Sequence, residues 1–385
     1  MKRTALCLAL MFGVAAPAFA QIGGALGKIK RGVDTAKKVS DMHISDKDER
    51  AIGEAASQML IDRFGVYQDR GVSKYITLVG TVLAQESSRP SLNWQFIVLD
   101  TDGVNAYAAP GGIVHITRGA LGLIKSEAEL AGVLGHEITH ITAKHTINSI
   151  QRSKGTEIAV DQTAAATGGL GGAAISLLGN AAYDALFENK FSREEETDSD
   201  RVGVTLANKV GYSPSGLSAF LTTLSERNKT QKEPNGLFAS HPQIKDRLEE
   251  IGKTIKRDKL TASAMGQARY ASTVKVEAKP IAEIAVVTPG VRGVAGGSPS
   301  AAKEEPKKEE PKKEEPPEKK KRGFGLGNLA GGLTQGSQKE STQASASGGS
   351  RMGVPDRDAA GGPNKTRVTV TLTPAEVAEF KKGIA

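Results

Sequence analysis

The segment His136-Glu137-Ile138-Thr139-His140 constrains the fold of this chain most, because it places two imidazoles four residues apart. Residues at this spacing lie on one face of an α-helix, so both rings can reach a single metal ion only if the segment is helical. Ser126 and Glu129 form a capping-box pattern ten residues upstream of this segment. The sequence therefore predicts a long helix that runs from Ser126 towards Gln151 and carries both histidines.

Glu137 directly follows the first histidine and is the candidate general base. Beside the open position of a metal ion, its carboxylate can take a proton from the attacking water and pass it to a leaving amine. Two imidazoles and one carboxylate are ligands that suit zinc, with a fourth position left for water. We therefore expect one Zn²⁺ ion per chain and a carboxylate ligand from another segment.

That carboxylate is expected in residues 191–200, which read FSREEETDSD. Four acids compete for the role, and their spacing does not choose among them: Glu194, Glu195, Glu196 and Asp198. Glu196 and Asp200 are four residues apart on a predicted helix, so a ligand and a supporting carboxylate can share one face. A ligand histidine usually donates its second N–H to a carboxylate, and Asp200 is the candidate for this role.

The remaining pattern alternates helices with two strands. The apolar spacing predicts helices over 46–63, 71–87, 191–210, 214–226 and 241–253. Residues 94–99 and 112–117 are predicted as strands that a Gly- and Pro-containing turn connects. Residues 155–180 are so rich in Gly and Ala that we expect a mobile flap or a loosely helical segment.

The composition divides the chain into unequal parts. Lys2 and Arg3, an apolar run and an A-x-A sequence ending at Ala20 predict a signal peptide over 1–20 and therefore export to the periplasm. Residues 21–45 are expected to be a linker and 46–260 the main domain. Residues 261–300 are expected to be a loosely structured extension, in which 270–287 has the alternation of a short hairpin.

The end of the chain, residues 301–385, has a different composition. Residues 301–365 contain a repeated KKEEP unit and a Gly/Ser-rich stretch, which predicts a disordered linker. Residues 366–385 are predicted as a short strand followed by a helix that Thr373 caps.

Charge and cysteine content exclude several classes of function. The only cysteine, Cys7, lies in the predicted signal peptide, so the processed chain has no thiol for a disulfide or a metal site. The formal charge of +8 falls to +6 when Lys2 and Arg3 are excluded. This excess is spread thinly and without interleaved aromatic residues, which argues against nucleic-acid binding. A weak attraction to anionic membrane surfaces is compatible with it.

Four motifs together resemble the M48 zinc metallopeptidases. They are the His136–His140 segment, the pattern from Phe191 through Glu196 to Asp200, the stretch 105–119 that begins Asn-Ala-Tyr-Ala-Ala-Pro-Gly-Gly, and a late His241-Pro242 with Arg247. The resemblance covers about residues 46–255 and is strongest to the soluble periplasmic branch. One departure is Ser199, which stands where the family usually has Ala before the Asp.

The resemblance implies roles for individual residues. It places the zinc ligands on His136, His140 and Glu196 and the base on Glu137, and so selects one of the four acids that spacing left open. In the periplasmic branch the residue that matches His241 can occupy the open metal position and hold the enzyme latent. Asn105 is a candidate for a contact with the substrate backbone.

The implied fold class is α+β, with a mainly helical zincin-like domain and a small β-sheet, followed by a disordered low-complexity tail. The implied function is proteolysis of misfolded or unassembled cell-envelope proteins, with the strand 112–117 offering its edge to an extended substrate. The partners would be unfolded envelope proteins, with a peripheral contact to the membrane or to the outer-membrane assembly machinery. One alternative is a chaperone-like assembly factor with a latent metal site. Another is a structural envelope linker that depends on the Lys/Glu tract.

Overall fold

The computed structural model describes residues 44–154, 170–187, 191–229, 244–284, 286–287, 343–344 and 363–384. The first half contains α1 (Asp46–Phe64), α2 (Arg70–Gln85), β1 (Gln95–Leu99), β2 (Ala106–Ala109), β3 (Ile113–Thr117), α3 (Arg118–Leu123), α4 (Glu127–Thr142) and α5 (His145–Lys154). The second half contains α6 (Gly172–Phe187), α7 (Arg193–Val210), α8 (Gly216–Arg227), α9 (Ile244–Arg257), α10 (Gln267–Thr273), β4 (Val286–Val287), β5 (Gln343–Ala344) and α11 (Pro374–Lys382). The predicted α+β class, mainly helical with a small sheet, is confirmed.

Side-chain caps fix where the helices of the site begin. Ser126 accepts a hydrogen bond from the backbone N–H of Glu129 at the start of α4, while the Glu129 carboxylate accepts from the backbone N–H of Lys125. Ser192 and Glu195 form a complete capping box at the start of α7. These caps satisfy N–H groups that the first helical turn leaves without backbone partners.

The three-stranded sheet has the order β1-β3-β2, with β1 parallel and β2 antiparallel to β3. The predicted strands agree with β1 and β3 to within one residue, but β2 lies where we expected only a turn. Its sequence, AYAA, has no β-branched residue and therefore gives little strand signal. Because β3 is flanked on both sides, the expectation that residues 112–117 form a free edge is wrong. In the described sheet β1 and β2 are the outer strands.

The sheet lies between two helical layers. Phe96 and Val98 of β1 pack into the apolar cluster that contains α2, α4, α7 and α8, whereas Ile97 and Leu99 pack into a second cluster with α1 and α6. Successive side chains of a strand point to opposite faces, so each strand contributes apolar side chains to both helical layers. Helix α4 lies inside the first layer, where it contacts β2, α2, α7 and α8.

A close approach of α4 and α7 depends on two glycines. A Cβ atom at Gly135 would lie 2.8 Å from the backbone oxygen of Gly203, and one at Gly203 would lie 2.8 Å from the backbone nitrogen of His136. Such distances leave no room for a side chain on either residue. The acids of α7 are therefore brought directly against the histidines of α4.

One helix prediction needs correction, and a second is tested only in part. The long helix expected from Ser126 to Gln151 ends at Thr142, because Lys144 adopts the left-handed conformation with φ 57° and a new helix, α5, starts at His145. The Gly- and Ala-rich stretch is expected as a flap or loose helix; its residues from Gly172 onward belong to α6, in agreement with the helical alternative, and residues 155–169 lie outside the described residues. Leu178 and Ala182 of α6 are buried in the cluster with α1, so packing outweighs the low helix propensity of glycine there.

Two C-terminal segments of the described chain, residues 267–284 and 363–384, pack on the main domain. The hairpin expected over 270–287 is wrong, because residues 267–273 form α10, in which Tyr270 is buried and donates to the backbone oxygen of Leu121. The strand expected from residue 366 is also absent, since residues 366–372 have no ladder partner among the described residues. The Thr373 cap is confirmed, and α11 lies against α2 through Phe380 and the buried Val377.

Candidate metal centre

His136 and His140 project from the same face of α4. Their Nε2 atoms are 3.0 Å apart, and both side chains are buried. The Nδ1 atom of His136 lies 2.9 Å from Oδ1 of Asp200, and the Nδ1 atom of His140 lies 3.0 Å from Nδ1 of His145. When both Nδ1 atoms carry the proton and donate it to these partners, both Nε2 atoms present lone pairs to the same point.

Glu196 completes this arrangement from α7. Its Oε1 lies 3.5 Å from Nε2 of His140, and its Oε2 lies 3.8 Å from Nε2 of His136. The other three acids that the sequence left open lie elsewhere, since Glu195 caps α7 and pairs with Arg152, Asp198 pairs with Arg201, and Glu194 is exposed. Among the described residues, the three groups that converge within ligand distance are His136, His140 and Glu196.

The geometry and the charge of these residues fit a divalent metal ion. Tetrahedral ligands about 2.0–2.2 Å from zinc lie about 3.3–3.6 Å from one another, and the separations observed here are 3.0, 3.5 and 3.8 Å. Three buried carboxylates, those of Glu137, Glu196 and Asp200, surround the site, and one buried guanidinium, that of Arg247, opposes them. At formal charges this cluster carries −2, which one Zn²⁺ ion would neutralise.

Asp200 and Arg247 hold the first histidine in place. Arg247 Nε and Nη2 donate to the two oxygens of Asp200 at 2.8 and 2.7 Å, and Nη1 lies 3.2 Å from Oε2 of Glu196. Burial alone would raise the pKa of Asp200, but the Arg247 charge and the hydrogen bonds from Arg247 and His136 lower it below its usual range. The carboxylate that orients His136 is therefore itself fixed by a two-point contact.

Glu137 is buried beside this cluster, one residue after the first histidine on α4. Burial would lower the pKa of Arg247, yet the charges of Asp200, Glu196 and Glu137 raise it above its ordinary value. Arg247 therefore stays charged and interacts electrostatically with all three carboxylates. On the other side, the ring of Phe191 lies 4.0 Å from the ring of His140, centroid to centroid, and covers it.

A cavity of about 270 Å³ opens next to Glu196, between α7 and α9. Phe191, Glu196 and Arg247 line its inner part, and Arg193, Asp246 and Glu250 line its mouth. The cluster of ligand-type side chains is therefore adjacent to a space that can hold part of a substrate.

The predicted residues Asn105 and His241, and the further histidine His115, have different positions. Asn105 is buried at the start of β2, where its Oδ1 accepts from the backbone N–H of Ala106 and its own backbone N–H donates to Thr117. His115 is buried against Ser57 of α1, and burial, with the nearby charge of Arg367, lowers its pKa to about 3. His241 lies outside the described residues, so its predicted gating role stays a prediction.

Sequence reasoning missed three contributors to this site. Arg247 is predicted only as part of the late His-Pro motif. Its sequence neighbours do not indicate which residues its guanidinium contacts. The glycine pair on α4 and α7 is visible only once the two helices are known to cross. His145 would lie off the ligand face if the helix of His140 continued, but the break at Lys144 brings it back towards His140.

Comparisons with known proteins agree with this geometry. Residues 72–255 match the family model described as Peptidase family M48. The beta-barrel assembly-enhancing protease of Escherichia coli (strain K12) is 25% identical over 266 residues, which are 63% of this chain and 50% of that protein. Metalloprotease YcaL of the same strain is 27% identical over 238 residues, covering 59% of this chain and 91% of that protein.

A eukaryotic relative is also similar. The mitochondrial metalloendopeptidase OMA1 of Schizosaccharomyces pombe is 28% identical over 177 residues, or 46% of this chain and 51% of that protein. The chain spans about half the length of the beta-barrel assembly-enhancing proteases it matches. Within the described ranges, every helix is too short or too polar to cross a bilayer.

Proposed function

Because residues 72–255 belong to peptidase family M48, we propose that this chain is a zinc metalloendopeptidase that cleaves misfolded or unassembled cell-envelope proteins. The observation that carries the proposal is the convergence of His136, His140 and Glu196 beside Glu137. A bound zinc ion supplies the Lewis acidity that polarises a peptide carbonyl and makes water a stronger acid.

The residues of the chain provide the remaining parts of the reaction. Glu137 takes the proton from the attacking water and returns it to the leaving amine. Asp200, held by Arg247, fixes the ring of His136 and supports its Nδ1–H form. Removal of this network from water strengthens each of these electrostatic contacts.

Substrate recognition is assigned to β2. This strand has a strand neighbour on one side only within the described sheet, and it contacts α4. An extended peptide that adds to an outer strand is bound through main-chain hydrogen bonds, which favours unfolded chains over a particular sequence. Asn105, at the start of β2, is the proposed side-chain contact to the substrate backbone.

The cell-envelope role is supported by two further points. The expected signal peptide over residues 1–20 would export the chain to the periplasm. The name of the relatives, beta-barrel assembly-enhancing protease, suggests outer-membrane β-barrel proteins as substrates and their assembly machinery as a contact.

The test uses the processed, zinc-loaded chain and an unfolded outer-membrane β-barrel protein, with fragments measured by mass spectrometry. We expect fragments to form. A chelator should abolish the cleavage, and Glu137→Gln should reduce its rate by about 10²- to 10⁴-fold. The Glu137→Gln protein should still bind zinc. Suppressed aggregation without any fragments would reject the peptidase function and support a chaperone.

The gating role of His241 has a separate test. If its imidazole occupies the open metal position in the resting chain, His241→Ala should raise basal cleavage of casein. Unchanged cleavage would contradict the gating role of His241 and would not affect the peptidase proposal.

A further inference from the structure

His145 is a buried histidine beside the metal centre that none of the steps above uses. Its Nδ1 lies 3.0 Å from Nδ1 of His140, and the two rings meet edge to face with centroids 5.0 Å apart. Two nitrogens at this distance need one donor and one acceptor. The contact therefore ties the tautomer of one ring to that of the other.

The metal-binding arrangement allows only one direction for this hydrogen bond. Nε2 of His140 faces Nε2 of His136 and Glu196. A ligand nitrogen carries no proton, so the proton of His140 is on Nδ1 and is donated away from the metal. Nδ1 of His145 must then accept it, with the His145 proton on Nε2.

We propose that His145 is a positioning residue, the neutral hydrogen-bond acceptor that fixes the ring of His140 as Asp200 fixes that of His136. This inference rests on the proposed metal site. It also explains why the two ligand histidines have different partners. The carboxylates of Glu137, Glu196 and Asp200 with Arg247 already carry a formal −2, which one divalent ion balances. A neutral acceptor for His140 adds a hydrogen bond without adding a fourth buried carboxylate.

The fold builds this contact through the break after α4. On a continuous helix a residue five positions after His140 would point away from the ligand face. The left-handed backbone of Lys144 turns the chain, and the Lys144 side chain is held by an ion pair of 3.0 Å to the buried Glu49. His145 thereby begins α5 with its ring against that of His140.

Ser199 supplies a further contact to the same atom. Its hydroxyl oxygen is fully buried on α7 and lies 3.4 Å from Nδ1 of His145. Ser199 is the position at which this chain departs from the Ala usual in the family it resembles. This difference places a hydroxyl beside the His145 ring, where it limits how that ring can turn.

The test compares His145→Leu with His145→Asn. Leu fills similar space without an acceptor, whereas the amide oxygen of Asn takes the place of Nδ1. Zinc dissociation constants are measured on the processed chain by competition with a chromophoric chelator. We expect about 10- to 100-fold weaker binding for Leu and binding within about threefold of wild type for Asn.

The possible outcomes separate this inference from the proposed function. Wild-type protein that binds no zinc overturns both. A Leu variant that binds zinc as tightly as wild type, or a Leu and an Asn variant that are equally impaired, overturns the positioning role alone. If the Leu variant does not fold, ¹⁵N spectra of imidazole-labelled, zinc-loaded wild type decide, because the role requires an unprotonated Nδ1 on His145. A protonated Nδ1 there would contradict it.

Discussion

The two ends of α4 each belong to a buried cluster of charged and polar side chains, and the clusters differ in their charge balance. At the N-terminal end, Glu127 is fully buried and receives hydrogen bonds from the hydroxyls of Tyr75 and Tyr212, at 2.5 and 3.0 Å, and from two nitrogens of Arg269. One carboxylate thus faces one guanidinium and two neutral donors. At the other end, three carboxylates face one guanidinium.

This difference distinguishes buried charges that stabilise the fold from buried charges that form a binding site. A buried ion whose hydrogen-bonding capacity is filled by donors adds to the specificity of the fold and needs nothing else. An excess of convergent acceptors is unfavourable until a cation is bound, so it indicates a binding site. The same helix contains both kinds of cluster, so substitutions at its two ends should differ in their effects on stability and on zinc binding.

The largest effect is expected from Glu127→Ala. This substitution leaves Arg269 and two buried tyrosine hydroxyls without their acceptor, and we expect a loss of about 3 kcal/mol in the free energy of unfolding. Urea denaturation measures it. The number of zinc ions bound per chain should stay the same, because Glu127 lies at the opposite end of α4 from the proposed metal site. A loss below about 1 kcal/mol would remove the structural role of this cluster.

A smaller effect, this time on both stability and zinc binding, is expected from Gly203→Ala. The added methyl would meet the backbone of His136 and separate α7 from α4, which should cost about 2 kcal/mol and weaken zinc binding. Gly252→Ala is the matched control, because Gly252 also lies in a helix but has open space around its Cα. That control should be stabilised by up to about 1 kcal/mol. Equal behaviour of the two variants would contradict the close-contact role.

Phe380→Ala probes how α11 supports the Glu127 cluster. The ring of Phe380 lies under the guanidinium of Arg269, 4.5 Å from its central carbon, and meets Tyr75 edge to face. We expect a loss of about 1–2 kcal/mol, measured by thermal unfolding of the full chain. Zinc affinity should not change. A variant with unaltered stability would show that α11 lies on the domain without supporting it.

The smallest effect concerns pH and the docking of α11. Hydrogen bonds from Lys74 and from the Thr373 cap lower the pKa of Glu376 to about 2, and those from Lys381 and Lys209 lower the pKa of Glu86. A carboxyl group whose pKa is lower in the folded state stabilises that state at pH values above its pKa in the unfolded chain. This contribution is lost as the pH falls through its pKa in the folded state. Hydrogen exchange of α11 should therefore accelerate as the pH falls from about 4.5 towards 2, after correction for intrinsic rates. Lys74→Gln should weaken this dependence, and an identical profile would contradict it.

Sequence reasoning succeeded where the signal is local. The family, the α+β class, and the helix that carries His136 and His140 follow from spacing, caps and motifs within a few dozen residues. Glu196 was selected only through resemblance, because four neighbouring acids share the same local pattern and the crossing of α4 and α7 decides which one reaches the histidines.

Sequence reasoning failed where tertiary contacts decide. The break at Lys144 has no Gly or Pro to announce it, and its ion pair with Glu49 joins residues far apart in the chain. β2 is an alanine-rich segment that becomes a strand because β3 pairs with it. Residues 366–372 have alternating β-branched residues, yet the described sheet gives them no ladder partner.

The central claim is that His136, His140 and Glu196 bind one divalent ion. Its most direct test is zinc content and affinity of the wild type, Glu196→Gln and the exposed neighbour Glu194→Gln, measured on the processed chain. We predict one zinc per chain for wild type and Glu194→Gln, and affinity lower by at least about a hundredfold for Glu196→Gln. Zinc binding by Glu196→Gln that equals that of wild type, or no binding by wild type, would contradict the account.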